Sequence, residues 1–184
     1  MTSLSFASRE PCALQPDFDP RPILEVLVRH EVDFVLAGSL AGVVLGSAFQ
    51  TGDVDVVYER SNENLERLAR GLTELGASLR GAPKNVPSQL DARTLAAGQN
   101  FTFETRFGSL DILGDPAGAP RYEVLRDAST NYDIGGVTIA VSSIDHLIAM
   151  KEAAGRPRDK LMVSEYKLLA DEIRRRESEA RRRH

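Results

Sequence analysis

The chain has 184 residues, of which 42% are hydrophobic, and a formal net charge of −4. This length suits one domain, and the apolar content is enough for a core. No stretch approaches the roughly 18 consecutive apolar residues of a transmembrane helix, and the N-terminus lacks the pattern of a signal peptide. Because the single cysteine, Cys12, cannot form an internal disulfide, we expect a cytoplasmic protein with no membrane partner.

The first third of the chain predicts alternating helices and strands. Residues 1–18 show little periodicity and predict an irregular arm. Asp19-Pro20 is typical of a helix start, and the apolar face of the following helix is predicted to hold Ile23, Leu24, Leu27 and Val28. We then expect a short strand over 32–37 that ends at Gly38, a short helix over 40–45 and a β-branched strand over 53–59.

The rest of the chain predicts further strands and then helices. Ser61 and Gly76 bound an amphipathic helix, and residues 81–89 predict a loop. A hairpin follows over 101–113, with Phe101, Phe103 and Phe107 on its buried side. Gly135-Gly136 predicts a turn before a strand over 137–142. Ser143 then caps a helix through Ala153, and a long charged helix ends the chain.

This order predicts an α/β or α+β fold, in which a small mixed β-sheet is flanked by helices and followed by a C-terminal helical extension. We expect three parts: the arm at 1–18, a main domain at 19–160 and a basic helix at 161–184.

Asp53 and Asp55 stand out within the predicted β-branched strand. Alternation places both carboxylates on one face of the strand and Val54 and Val56 on the other. Two close carboxylates repel each other unless a cation neutralises them, and their oxygens suit Mg²⁺ or Mn²⁺. The spacing alone is not diagnostic, because solvated pairs such as Glu177/Glu179 share it.

Gly38-Ser39 and Asp111 make this pair more informative. Gly38-Ser39 ends one strand and opens a helix, whose N-terminus either binds a phosphate or is simply capped. Asp111 lies between Leu110 and Ile112, and a strand beside residues 53–58 would bring its carboxylate to the pair. Three carboxylates can hold two metal ions for in-line phosphoryl displacement, although a solvent-exposed hairpin acid would give the same pattern.

With these motifs the chain resembles the nucleotidyltransferase superfamily with the DNA polymerase β-like fold. The signature is a strand, Gly-Ser, a short helix, Asp-x-Asp on the next strand and a later third carboxylate. The resemblance covers about residues 20–160. It implies that Asp53, Asp55 and Asp111 are catalytic metal ligands and that Gly38 and Ser39 bind the triphosphate.

Within the superfamily the chain is most similar to the abortive-infection toxins and the mycobacterial-type nucleotidyltransferase toxins. They share a helix lysine followed by a basic and acidic segment, here AMKEAAGRPRDK. That likeness implies nucleotide contacts for Lys151, Arg156 and Asp159; a solvated helix lysine is the alternative for Lys151. The sequence GSLAG lacks the arginine that antitoxin-like members carry after Gly-Ser.

The resemblance implies an Mg²⁺-dependent transfer of a nucleoside monophosphate from an NTP to the 3′ end of tRNA, which would block aminoacylation, and a cognate antitoxin as partner. A protein hydroxyl or an aminoglycoside-like drug hydroxyl is an alternative acceptor. A non-catalytic binding partner with the same fold is a second alternative.

The C-terminal segment is basic whereas the rest of the chain is acidic. Residues 174–184 contain six arginines and two glutamates, a charge of +4, which leaves −8 for residues 1–173. Such a cluster either binds RNA phosphates or forms a solvated helix end stabilised by the helix dipole. The candidate RNA-binding residues are Arg174, Arg175, Arg176, Arg181, Arg182 and Arg183.

Overall fold

A computed structural model describes residues 4–5, 18–81 and 90–182. Within them the chain forms one eight-stranded mixed sheet in the order β1-β7-β8-β2-β3-β6-β5-β4. The strands are β1 (Leu4–Ser5), β2 (Phe34–Ala37), β3 (Asp53–Tyr58), β4 (Ser78–Leu79), β5 (Asn100–Thr105), β6 (Gly108–Leu113), β7 (Thr130–Ile134) and β8 (Val137–Val141). The predicted mixed sheet flanked by helices is therefore confirmed.

Seven helices accompany the sheet in the described part of the chain. They are α1 (Arg21–Arg29), α2 (Gly38–Leu45), α3 (Asn62–Leu75), α4 (Ala92–Ala97), α5 (Tyr122–Asp127), α6 (Ile144–Ala154) and α7 (Pro157–Arg182). Helix α2 contacts β2, β3 and α6, and α6 packs against α7. None of these helices combines the length and the apolarity that a membrane crossing requires.

The centre of the sheet places polar residues on one side and the core on the other. β3 pairs antiparallel with β2 and parallel with β6, and β6 pairs antiparallel with β5. Val54 and Val56 are fully buried, whereas Asp53 and Asp55 keep partial exposure. The two faces of β3 thus differ as alternation requires, and the aspartates lie on the face towards which the pocket described below opens.

The predicted helix ends agree closely with the structure. The Ser61 side chain accepts a hydrogen bond from the backbone N–H of Asn64, and the Ser143 side chain accepts one from that of His146. Gly76 ends α3 in the left-handed conformation. Most of the predicted loop at 81–89 lies outside the described residues.

Several details of the sequence prediction were wrong. Leu4–Ser5 is a strand that pairs with β7, although it falls in the predicted irregular arm. Val28 is 40% exposed, because the buried stripe of α1 includes Val26 instead. Phe107 is 41% exposed, since it lies in the turn between β5 and β6, where strand alternation stops.

The C-terminal helix begins earlier than expected. α7 runs without interruption from Pro157 to Arg182, so it crosses residue 160, where the sequence places a domain boundary. Met162, Tyr166 and Ala170 lie on its buried face and join the core of the main body. The first half of α7 is therefore packed against that body.

Candidate active site

Three aspartates meet at the centre of the sheet. β3 and β6 are parallel neighbours, and their register pairs Asp55 with Asp111 and Asp53 with Ser109. Paired residues on adjacent strands point to the same face of a sheet, so the three side chains share one face. The sequence expectation that a neighbouring strand brings Asp111 to the pair holds.

These aspartates line one polar pocket with a volume of about 350 Å³. Four acidic and four basic side chains surround it, so opposite charges are interleaved around one opening. The charged lining residues are Asp53, Asp55, Asp111, Asp159, Arg80, Lys151, Arg156 and Arg158. Ser39 also lines the pocket. The pocket lining therefore includes every candidate site residue outside the basic tail except Gly38.

The environment of Asp55 disfavours the charged form of its carboxyl group. Burial, as the largest cause, and the charges of Asp53 and Asp111 together raise its pKa to about 7, against the opposing effects of Lys151 and the backbone N–H of Ser39. A carboxyl group in this setting gains from an added cation, which would offset both the lost hydration and the repulsion.

Gly38 provides the space for the Asp55 carboxylate. It is the first residue of α2, has φ +62°, and a β carbon there would overlap the carboxylate of Asp55. Both the left-handed backbone and the close approach require glycine. The predicted contact of Gly38 with the triphosphate stays a prediction.

Thr51 fixes the orientation of Asp53. Its Oγ1 donates a hydrogen bond of 2.8 Å to Oδ1 of Asp53, and the threonine is only 3% exposed. A buried donor on one carboxylate oxygen restricts rotation of the group and leaves the other oxygen available. Thr51 is not among the site residues predicted from the sequence, although its place two positions before Asp53 is a local signal.

Arg80, which follows the edge strand β4, reaches across β5 to Asp111 on β6. Its Nη2 lies 3.3 Å from Oδ1 of Asp111, and its Nε donates a 2.8 Å hydrogen bond to Glu104. Burial raises the pKa of Asp111, and the Arg80 charge opposes that rise. No local sequence pattern predicts this contact, because β4 and β5 pairing brings the residues together.

Lys151 and Asp159 form an ion pair at the other end of the pocket. Nζ of Lys151 lies 3.2 Å from Oδ1 of Asp159 and donates a longer hydrogen bond of 3.4 Å to Oγ of Ser39. Asp159 is 5% exposed. The segment AMKEAAGRPRDK thus brings its lysine to the first turn of α2, where Ser39 lies.

The start of α7 holds the loop between α2 and β3. Nη2 of Arg158 donates a 2.6 Å hydrogen bond to the carbonyl of Gln50. Glu165 accepts hydrogen bonds from Oγ of Ser47 and the backbone N–H of Ala48, both at 2.8 Å. These contacts anchor the backbone that leads into Asp53. Arg158 and Glu165 are not among the site residues predicted from the sequence, because their partners lie more than 100 residues away.

Comparisons with known proteins identify the fold from structure alone. No protein-family model matches the sequence, and no curated protein matches it significantly. The lincosamide antibiotic adenylyltransferase LnuA in its lincomycin-bound form is similar with a TM-score of 0.57 and 13% identity, over 83% of this chain and 99% of that one. The chain has the nucleotidyltransferase fold.

Two further structures share this nucleotidyltransferase fold. A proposed nucleotidyltransferase from Thermotoga maritima matches with a TM-score of 0.51 and 18% identity, over 79% of this chain and 88% of that one. ANT(2″)-Ia in complex with adenylyl-2″-tobramycin matches with a TM-score of 0.52 and 14% identity, over 83% and 86%.

The pocket of this nucleotidyltransferase fold offers a donor set that suits Mg²⁺. Carboxylate oxygens are hard ligands, and a divalent cation would relieve the repulsion between Asp55 and the carboxylates of Asp53 and Asp111. Across the described residues, however, no three or more His, Cys, Asp or Glu side chains are arranged to hold a metal ion. Asp53 is instead engaged by Thr51, and Asp111 by Arg80.

The basic C-terminal residues lie apart from the pocket lining. Arg174 pairs with Asp145 and Asp171, and Arg175 and Arg176 both pair with Glu172. Arg181 and Arg182 are exposed at the end of α7. Arg183 lies outside the described residues. Half of the candidate RNA-binding arginines therefore already have acidic partners within the chain.

Proposed function

We propose that the protein is a metal-dependent nucleotidyltransferase, which transfers a nucleoside monophosphate from an NTP to an acceptor hydroxyl. The observation that carries this proposal is the register of β3 and β6, which puts Asp53, Asp55 and Asp111 on one face within one polar pocket. The shared fold adds support. The acceptor oxygen would bond to the α-phosphorus, pyrophosphate would leave, and the hydroxyl proton would pass to a pocket carboxylate or to water.

Different side chains of the pocket would bind the metal ion and the triphosphate. Asp53, Asp55 and Asp111 would hold Mg²⁺ or Mn²⁺, which when bound neutralises phosphate charge and lowers the pKa of the attacking hydroxyl. Gly38 makes room for the Asp55 carboxylate, and Ser39 offers a hydroxyl at the first turn of α2.

The basic side chains of the pocket would bind the triphosphate. Lys151, Arg156 and Arg158 line the pocket, and their positive charge is complementary to the negative charge of an NTP. Asp159 would fix the position of the Lys151 ammonium through their ion pair.

For the acceptor we propose the 3′ end of tRNA, in a toxin that a cognate antitoxin neutralises. The support is the sequence resemblance to nucleotidyltransferase toxins and the arginine-rich end of α7. Arg181 and Arg182 are exposed there and could meet RNA phosphates. The salt bridges of Arg174, Arg175 and Arg176 are solvent-exposed, and such pairs are weak enough for a phosphate to compete.

A drug-like hydroxyl is the second candidate acceptor. It is favoured by the similarity to LnuA, a lincosamide adenylyltransferase, and to ANT(2″)-Ia, whose structure contains adenylyl-2″-tobramycin. A protein hydroxyl is a further candidate.

One labelling experiment separates these acceptors. The purified protein is incubated with Mg²⁺, with each of the four α-labelled NTPs in turn, and with total RNA, a protein extract, or a panel of aminoglycosides and lincosamides. We expect label on tRNA with one preferred NTP. Label on a drug or on protein would replace the tRNA proposal and keep nucleotidyl transfer. No label in any reaction would favour a non-catalytic binding partner.

A further inference from the structure

Arg80 is the basic pocket residue that contacts the third carboxylate directly. The guanidinium lies between Glu104 at 2.8 Å and Asp111 at 3.3 Å. Its side chain is 41% exposed, whereas that of Asp111 is 18% exposed. A partly exposed cation therefore covers a carboxylate that is mostly withdrawn from water.

The backbone of Arg80 is placed for this contact by sheet pairing. Its N–H donates a 2.9 Å hydrogen bond to the carbonyl of Thr102, and Thr102 is the cross-strand partner of Asp111. Glu104, two residues further along β5, pairs with Ser109, whose Oγ lies 3.3 Å from both carboxylate oxygens of Glu104. Arg80 is thus held in place by hydrogen bonds of both its backbone and its guanidinium group.

We propose that Arg80 is the resident counter-ion of Asp111 and must leave it before this carboxylate can share a divalent cation. A guanidinium and a metal ion cannot both neutralise the same oxygen closely, because their like charges repel. The contact therefore weakens metal binding in the nucleotide-free protein. Glu104 keeps the released guanidinium at the pocket rim, where the phosphates of an incoming nucleotide offer it a new partner.

This inference rests on the proposed metal-dependent function, but its test does not use catalysis. Mn²⁺ is titrated into nucleotide-free protein, and free Mn²⁺ is followed by its electron paramagnetic resonance signal. Arg80→Gln should bind Mn²⁺ about three- to tenfold more tightly than the wild type, because one repulsive charge and one competing partner are removed. Unchanged, weaker or undetectable binding by Arg80→Gln overturns the proposal.

Arg126→Gln is the matched control for charge. Arg126 is an arginine outside the candidate pocket, where its Nη1 donates to Oγ of Ser129. The variant removes the same charge, so it should bind Mn²⁺ as the wild type does. An equal gain in both variants would show a general effect of net charge and overturn the specific role of Arg80.

A second measurement follows the arginine itself. In ¹⁵N-labelled protein the Nε–H resonance of Arg80 is assigned by its loss in Arg80→Gln, and Mg²⁺ is then added. We expect this resonance to shift with the same midpoint as metal binding, and a resonance that stays unchanged while metal binds overturns the proposal. Nucleotidyl transfer by the wild type is measured in a separate assay. Failure of the proposed function can therefore be distinguished from failure of this inference.

Discussion

The carboxylate of Asp55 occupies the space that a β carbon on Gly38 would need, at the first residue of the helix that follows β2. The register of β2 and β3 pairs Ala37 with Asp55, so the two strands deliver the turn and the acid to the same point. This relationship explains why the glycine is required. Glycine lets the carboxylate of Asp55 reach the backbone N–H of Ser39, and it also accommodates the left-handed backbone.

Gly38→Ala should therefore damage both stability and activity. The left-handed backbone costs about 1–2 kcal/mol for alanine, and the new methyl group must displace the carboxylate of Asp55. Since a displacement of about 1 Å at a reacting centre can cost about a hundredfold, we expect transfer to fall by at least that factor. Thermal unfolding and initial transfer rates measure the two effects.

Gly136→Ala is the matched control for this variant. Gly136 also has a positive φ, +94°, but a β carbon there would meet nothing within 4 Å. It should lose stability and keep the transfer rate of the wild type. Equal activity of both alanine variants would contradict the role given to the contact between Gly38 and Asp55.

Thr51→Val tests how Asp53 is oriented. Valine keeps the shape and removes the hydroxyl that donates to Oδ1 of Asp53. Loss of such a supporting hydrogen bond typically costs about 10- to 100-fold in metal affinity or activity, so we expect at least about a tenfold fall in transfer. Thr51→Ser, which keeps the hydroxyl, should recover most of it. If serine were as impaired as valine, packing and not the hydrogen bond would explain the loss.

The fold and the site differ in how far sequence predicts them. Caps such as Ser61 and strands such as β3 follow from local chemistry, and alternation correctly places Asp53 and Asp55 together. The position of Asp111 also follows once β6 is placed beside β3. These features depend on residues close in sequence or on one assumed pairing.

The basic side chains of the pocket are harder to predict. Arg80 and Asp111 are separated by 31 residues, and Arg158 and Gln50 by 108. Their contacts depend on the path of β4 and on the packing of α7, which hydrophobic periodicity does not specify. For Phe107 the local pattern is misleading, because strand alternation ends at the turn in which this residue lies.

The contribution of Asp55 to the stability of the metal-free protein should fall as the pH rises from about 4 to about 7. The folded-state pKa of Asp55, about 7, is above the ordinary value of 3.8, so the folded state binds more protons than the unfolded state in this range. This contribution to the free energy of unfolding then decreases with pH and levels off above about 7. Chemical denaturation at a series of pH values measures this slope.

Asp55→Asn removes that titrating group. The variant should lose this contribution to the slope and be more stable than the wild type at pH 8. Equal slopes of stability against pH in the wild type and in Asp55→Asn would contradict the electrostatic description of the pocket.

Gly42→Ala tests how α7 docks on α2. Alanine normally gains about 0.5–1 kcal/mol over glycine inside a helix. Here a β carbon would overlap the hydroxyl of Tyr166, which is fully buried, and overpacking costs about 1–3 kcal/mol. We expect net destabilisation in urea unfolding, and a smaller loss in a Tyr166→Phe background. A more stable Gly42→Ala protein would contradict this packing.

The central claim is that Asp53, Asp55 and Asp111 support nucleotidyl transfer, and a comparison of differently labelled NTPs tests it most directly. The wild type and Asp53→Ala are compared at equal concentrations, after circular dichroism has shown that both are folded. We predict that the wild type, with Mg²⁺, attaches label from the α-position of an NTP but not from the γ-position, and that Asp53→Ala attaches neither. Transfer of γ-label, or undiminished transfer of α-label by Asp53→Ala, would contradict the account.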